Sequence, residues 1–224
     1  MLIISYKASE DFKNFLKMNG YSFIETSPNP NLDPRIGDHP DLSLFKIGEK
    51  TLVVDESVLS YYEEKLEGYR LIRGEKLGLK YPLDALYNIV RFKDFYIHND
   101  FTEKTIGKFF VENKISHLKV KQGYTRCSLI PLRDLLITSD YGIYKALKNK
   151  IDIELVDEDR VNLDGFDQGF LGGTCGLVGN KLIFTGDISR HKAYARLKEL
   201  CQKQNIEISY PKTDLVDLGS IIEI

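Results

Sequence analysis

Side chains able to do covalent chemistry recur in this chain at one kind of place, a turn-rich stretch just ahead of an apolar hairpin. A histidine stands in Gly37-Asp-His-Pro-Asp-Leu-Ser-Leu44, one cysteine in Tyr124-Thr-Arg-Cys-Ser128 and another in Gly172-Gly-Thr-Cys-Gly176. A thiolate is a nucleophile, and an imidazole carries protons near neutral pH. Around them, at comparable points of the chain, lie Asp38, Asp41, Asp84, Asp214 and Asp217, with Thr174 and one cation, Arg126. If these residues face one mouth, acid outnumbers base there and the mouth suits a cationic head group. A guanidinium fits best, because carboxylates grip it through paired, charge-assisted hydrogen bonds.

Each of these residues also has an ordinary reading. His39 lies among Asn, Asp, Pro and Gly, which are turn formers, and could simply bond to backbone. Cys127 and Cys175 each precede strand-like apolar residues, and a free cysteine usually packs as a small hydrophobe. Gly172 and Gly173 could allow close approach to a ligand or form a bulge, but no Lys-Ser or Lys-Thr follows to make a phosphate loop. Cys201 falls on a helix and reads as packing. With Cys127, Cys175 and Cys201 lacking CxxC spacing, and His98, His117 and His191 lacking ligand spacing, neither a disulfide framework nor a metal site is indicated. No metal and no organic cofactor is implied.

The elements that must position these residues repeat. Apolar, turn-like, apolar stretches run from Leu42 to Glu56, Tyr87 to Asp100, Cys127 to Asp140 and Cys175 to Asp187. Each is followed by a segment with apolar residues three and four apart, the spacing of a helix with one buried face. These helices are expected over 58–66, 103–111, 143–148 and 190–200, with an earlier one from Glu10. Ser9, Ser57, Thr102 and Ser189 stand where N-caps belong. Taken with Gly142, they are spaced at 48, 45, 40 and 47 residues, and at 44 across the chain ends. The last interval has a physical counterpart, since the chain starts with one strand, Leu2 to Tyr6, and ends with one, Gly219 to Ile224. Paired, they make a fifth hairpin and remove the open edge that a radial repeat would otherwise leave. The fold class expected is α/β: a closed five-bladed α/β propeller with pseudo-five-fold symmetry, its N- and C-terminal strands closing the ring. No linker composition interrupts 1–224, so one domain of five units is expected.

This repeat, with His39-Pro-Asp41 and Gly172-Gly-Thr-Cys-Gly176, resembles the pentein superfamily, in particular small bacterial single-domain members of unassigned function. His39-Pro-Asp41 is similar to the His-x-Asp of its guanidine-modifying enzymes, and the glycine run looks like the approach to their nucleophilic cysteine. The resemblance implies attack of a cysteine thiolate on a guanidino or amidino carbon, loss of an amine, and hydrolysis or transfer of the covalent intermediate. It implies His39 as acid and base, Asp41 with Asp84 or Asp217 as the guanidinium grip beside Asp38, and Arg126 as a partner for a substrate carboxylate. In the enzymes the cysteine follows the histidine by two units. Cys127 keeps that order without the glycines; Cys175, three units on, has the glycines without the order. Both stand as candidate nucleophiles. The superfamily also contains a ribosome anti-association factor without enzyme chemistry, so the alternative is a non-catalytic ring that binds a small cation, a protein or a ribosome-associated partner.

Composition narrows the remaining classes. The 224 residues carry 31 Lys and Arg against 33 Asp and Glu, a formal charge of −2, which argues against nucleic-acid binding through bulk charge. Hydrophobic content of 42% and charged content of 29% match a folded globular chain. No apolar run approaches a membrane span, and Met1 to Lys7 lacks the features of a signal peptide, so a cytoplasmic protein without a membrane partner is expected. Tyr61-Tyr62 and Phe109-Phe110 read as core residues, and Lys145 to Lys150 as a solvated helix face. A small guanidino or cationic compound is the partner these readings favour.

Overall fold

The computed structural model describes all residues, 1–224. In chain order the elements begin with β1 (Leu2–Ile4), α1 (Glu10–Met18) and β2 (Phe23–Glu25). The first hairpin blade follows: α2 (Pro40–Ser43), β3 (Leu44–Gly48), β4 (Thr51–Asp55), α3 (Leu59–Lys65) and β5 (Arg70–Gly74). The second blade is β6 (Val90–Phe92), β7 (Phe95–His98), α4 (Lys104–Glu112) and β8 (Ser116–Lys119). The third is α5 (Thr125–Ser128), β9 (Leu129–Pro131), β10 (Leu136–Thr138), α6 (Tyr141–Leu147) and β11 (Ile153–Leu155). The fourth opens with a 3₁₀ turn, Leu171–Thr174, then β12 (Cys175–Val178), β13 (Lys181–Phe184), a second 3₁₀ turn at Ile188–Arg190, α7 (Tyr194–Lys203) and β14 (Glu207–Ser209). β15 (Ile222–Glu223) ends the chain.

These strands form five three-stranded sheets of one design. In each, an antiparallel hairpin is joined through a helix to a third strand that runs parallel to the hairpin's second strand. The terminal blade obeys the same rule with its hairpin split between the chain ends. Leu2 pairs with Glu223 and Ile3 with Ile222, antiparallel, while β2 lies parallel on the other side of β1. The protein is thus a five-bladed α/β propeller whose two ends share one blade. The first strand of one hairpin packs on that of the next, β6 on β9, β9 on β12 and β12 on β15.

The helices bury the faces that their spacing requires: Phe12 and Leu16 on α1, Leu59 and Tyr62 on α3, Ile106 and Phe110 on α4, Ile143 and Leu147 on α6, Leu197 and Leu200 on α7. Their starts depart from expectation in an instructive way. Ser9 does cap α1, accepting from the Phe12 amide at 3.2 Å. Elsewhere carboxylates take that duty, since they accept the same first-turn amide and complement the helix dipole. Glu103 accepts from Ile106 at 2.7 Å and Asp140 from Ile143 at 2.9 Å. Thr102 instead faces His98 Nδ1 at 3.0 Å, and Val58 precedes α3 without a side-chain cap. Ser189 lies in a 3₁₀ turn capped by Asp187, so α7 begins only at Tyr194. No helix is long and apolar enough to cross a membrane.

Candidate functional site

The blades deliver side chains to the middle of the molecule in a fixed register. The positions five residues before the first strand of each hairpin are His39, Ala85, Tyr124, Phe170 and Asp217. Those two residues before it are Leu42, Asn88, Cys127, Gly173 and Ser220. Six of these ten, His39, Leu42, Tyr124, Cys127, Phe170 and Asp217, line one cavity of about 250 Å³, together with Ile36, Leu163, Phe166 and Gln168.

Backbone chemistry holds these two sets of residues in place. His39 precedes Pro40, which excludes it from the helical region and leaves it extended at φ −66, ψ 119, ahead of the single turn of α2. Gly219 packs against it at φ +66, where a Cβ would fall 2.6 Å from the His39 Cβ. In the fourth blade the glycines serve a neighbour. A Cβ on Gly172 would fall 2.6 Å from the carbonyl oxygens of Cys127 and Leu129, and one on Gly173 would fall 2.0 Å from Asp217 Oδ1. Only glycine at these positions lets the chain of the fourth blade lie against the cysteine turn and leaves space for the Asp217 carboxylate.

His39, Cys127 and Asp217 are 4%, 2% and 1% exposed, and their donor atoms lie within 4.8 Å of one another. His39 Nδ1 is 3.9 Å from Asp217 Oδ1. Asp217 is oriented by two backbone amides, Phe170 N at 2.7 Å to Oδ2 and Gly219 N at 3.1 Å to Oδ1. A nitrogen, a sulfur and an oxygen donor at this spacing could also close around a metal ion, a grouping that residue spacing along the chain did not reveal.

Beneath the cysteine runs a hydrogen-bonded layer. Cys127 Sγ donates to Asp41 Oδ2 at 3.3 Å, and the same oxygen accepts from Ser220 N at 3.0 Å and Ser220 Oγ at 2.7 Å. Asn88 Nδ2 donates to the Cys127 sulfur at 3.2 Å, while Asn88 Oδ1 accepts from the amides of Arg126 and Cys127 at 2.7 and 3.1 Å. Asp41 Oδ1 is buried without a partner. Burial first, and then the negative charges of Asp41 and Asp217, push the Cys127 thiol well above its ordinary pKa, against the opposing hydrogen bond from Asn88. Burial also raises Asp217, with His39 acting in the opposite direction. The sulfur therefore rests as a thiol, and any cation placed between it and the two carboxylates would favour the thiolate.

The remaining expected site residues lie elsewhere. Cys175 is the first residue of β12, not a residue ahead of the strand, and it is packed in the core with Leu182, Phe184, Leu197 and Cys201. Gly173, two residues earlier, occupies the place equivalent to Cys127. Burial pushes the Cys175 thiol up to about 12, despite the opposing charge of Arg126. Arg126 faces away from the cavity. Its guanidinium donates to the carbonyls of Leu129 and Cys175 at 3.0 and 3.3 Å and lines a separate space of about 190 Å³ that Asp41 and Ser220 share. Asp38 is bonded to Ser5 and paired with Lys7 at 2.8 Å, outside the cavity lining. Asp84 stands behind Tyr124, accepting its hydroxyl at 2.8 Å; burial raises the Asp84 carboxyl, and that bond opposes the rise. The single acidic mouth expected from the sequence is therefore two cavities separated by the layer of Asp41, Asn88, Cys127 and Ser220. Asn88, Ser220, Tyr124 and Phe170 were missed; the signal that finds them is their common offset from the strand starts.

The sequence model of a family described as a family of unknown function, DUF6873, matches residues 3–222. No curated protein matches the chain. Among solved structures, similarity extends to dimethylarginine dimethylaminohydrolase as its adduct with 4-chloro-2-hydroxymethylpyridine, at 12% identity over 95% of this chain and 92% of that one, TM-score 0.58. An amidinotransferase of the saxitoxin biosynthetic pathway from Microseira wollei superposes at 10% identity over 98% and 80% of the two chains, TM-score 0.58. C. jejuni agmatine deiminase does so at 12% identity over 94% and 74%, TM-score 0.54. These are penteins, and the five-bladed architecture read from the repeat is theirs.

Proposed function

The chain belongs to the family of unknown function DUF6873, and from the pentein fold that it adopts we propose that it acts on a carbon–nitrogen bond of a guanidino or amidino cation, with Cys127 as nucleophile. The observation that carries this reading is the meeting of His39, Cys127 and Asp217 in one cavity, a thiol, a proton carrier and a carboxylate around one space. The general kind of chemistry is that of the guanidino-modifying hydrolases, deiminases and amidinotransferases that share the fold.

The steps follow from the charges. A guanidinium held by Asp217 replaces like-charge repulsion at Cys127 with attraction, so the thiol loses its proton, to His39, as the cation binds. The sulfur forms a bond to the central carbon, and His39 returns the proton to the departing nitrogen as its bond to that carbon breaks, releasing an amine and leaving an amidino-cysteine. Water, deprotonated by His39, then attacks the same carbon and expels the sulfur; a second amine doing so would make the reaction a transfer. Asp41 and Asn88 hold the sulfur from beneath.

One observation favours a second reading. The Cys127 sulfur is buried, and burial with the neighbouring carboxylates holds its thiol well above the ordinary pKa, as suits a ring that binds a small cation without turning it over. The test is product formation from arginine, agmatine, methylated arginines, guanidinoacetate and simple alkylguanidines. Native protein is compared with Cys127→Ser, Cys175→Ser and His39→Ala. Release of an amine or ureido product that Cys127→Ser and His39→Ala abolish and Cys175→Ser retains supports catalysis. Binding of a guanidinium without turnover supports the second reading, and loss of turnover in Cys175→Ser alone contradicts the assignment of the nucleophile.

A further inference from the structure

Apart from the cluster of His39, Cys127 and Asp217, the walls of the Cys127 cavity are almost wholly apolar. Ile36, Leu42, Tyr124, Leu163, Phe166 and Phe170 line it, and the only other lining residue is Gln168. No lysine or arginine is among them. Two arginines on segments adjoining the lining are both engaged elsewhere. Arg126 is turned onto backbone carbonyls on the far side of Cys127. Arg35 grips Asp33 through Nε at 2.9 Å and Nη2 at 2.6 Å, and donates through Nη1 to Gly165 O at 2.5 Å. Its guanidinium also stacks on the Phe166 ring at 4.0 Å, so this cation holds the turn carrying Leu163 and Phe166 in place.

A carboxylate lying against these walls would lose hydration to hydrocarbon and rings with no cationic partner to replace it, a cost that stands even though Phe166 is part-exposed. An ammonium there would fare no better, because Asp217, the one carboxylate of the lining, is clustered with Cys127 and His39, and Gln168 is already bonded to Glu158 at 3.0 Å. An apolar group gains from every wall, and the Tyr124 and Phe170 rings, stacked with centroids 6.1 Å apart, offer it a flat aromatic surface.

Resting on the guanidino or amidino reading above, we propose that the substrate of this site bears an uncharged alkyl or aryl group on its cationic head and no carboxylate, with Tyr124, Leu163, Phe166 and Phe170 as the residues that select it. The ligand class is a substituted guanidine or amidine, not an amino acid.

The test is calorimetric binding to Cys127→Ser, which cannot turn a ligand over, using methylguanidine, butylguanidine, benzylguanidine and arginine. Butylguanidine and benzylguanidine are expected to bind about tenfold or more tighter than methylguanidine, and arginine more weakly than butylguanidine, whose chain it matches apart from the charged end. Phe166→Ser is expected to reduce the advantage of benzylguanidine. Arginine binding as tightly as butylguanidine, or methylguanidine binding as tightly as both hydrophobic ligands, overturns the selection of an apolar group and leaves the cation site standing. Failure of all four to bind overturns both.

Discussion

Cys127 and Cys175 sit near the starts of adjacent hairpins, and both are buried, yet they belong to different kinds of place. Cys127 lies two residues ahead of β9 on a single helical turn, where its sulfur meets Asp41, Asn88 and the space shared with His39 and Asp217. Cys175 begins β12, and its nearest polar partners are the carbonyls of Leu171 and Gly172, at 3.9 and 3.8 Å. A shift of two residues relative to the strand separates a group that faces polar chemistry from one that fills a core. The same division holds for the histidines. His39 opens on the cavity, whereas His98 is enclosed between the carbonyls of Ala85 and Gly123, at 3.1 and 3.0 Å.

The comparison is broken or sharpened first by the cysteines themselves. Replacing Cys127 with Ala is expected to lower turnover of a guanidine substrate by at least about 10³-fold, measured under saturating conditions. Cys175→Ala should leave it nearly unchanged, and equal losses in both variants would erase the distinction. Next in size is Gly173→Ala. A methyl group 2.0 Å from Asp217 Oδ1 must displace that carboxylate, and a loss of about 3 kcal/mol in urea unfolding is expected, with loss of guanidinium binding. Unchanged binding would show that Asp217 does not hold the cation.

The histidines give a prediction of similar size. Burial lowers His98 from 6.5 to about 4, with the hydrogen bonds to Gly123 and Ala85 opposing. The folded state therefore binds fewer protons than the unfolded chain between those values. The stability from a neutral His98 is full above pH 6.5, falls as the pH drops toward 4, and changes no further below. The expected loss is about 3 kcal/mol across that window, read from urea midpoints. His98→Gln should flatten that slope, and an unaltered slope would assign it to other groups. The smallest effect is in the core, where Cys175→Ala should cost about 1 kcal/mol of stability, measured by the same unfolding transition.

Much of the architecture was legible because hydrophobic periodicity and turn residues carry it. The four internal hairpins lie where apolar runs flank turn-like residues, and the pairing of Leu2 and Ile3 with Glu223 and Ile222 follows from one strand at each end of the chain. Helix caps were less legible, because Glu103 and Asp140 reach the same amides as the serines and threonines expected there. Of the candidate residues, His39, Cys127 and Asp217, singled out by type, do meet in one cavity. The sequence was misleading at Gly172 and Gly173, whose closeness to Cys175 in sequence conceals that they make way for Cys127 and Asp217. Asn88 and Ser220 carry no signal of their own, and only the strand starts place them beside Cys127.

The central claim is that a cation in the cavity meets the sulfur of Cys127 and no other. It is tested most directly by treating the native protein at neutral pH with 2-chloroacetamidine or the neutral 2-chloroacetamide and mapping the alkylated cysteine by peptide mass spectrometry. The account predicts modification confined to Cys127, faster with the cationic reagent, with Cys175 and Cys201 unmodified while the protein stays folded. Modification of Cys175, or equal rates at Cys127 with the two reagents, would contradict it.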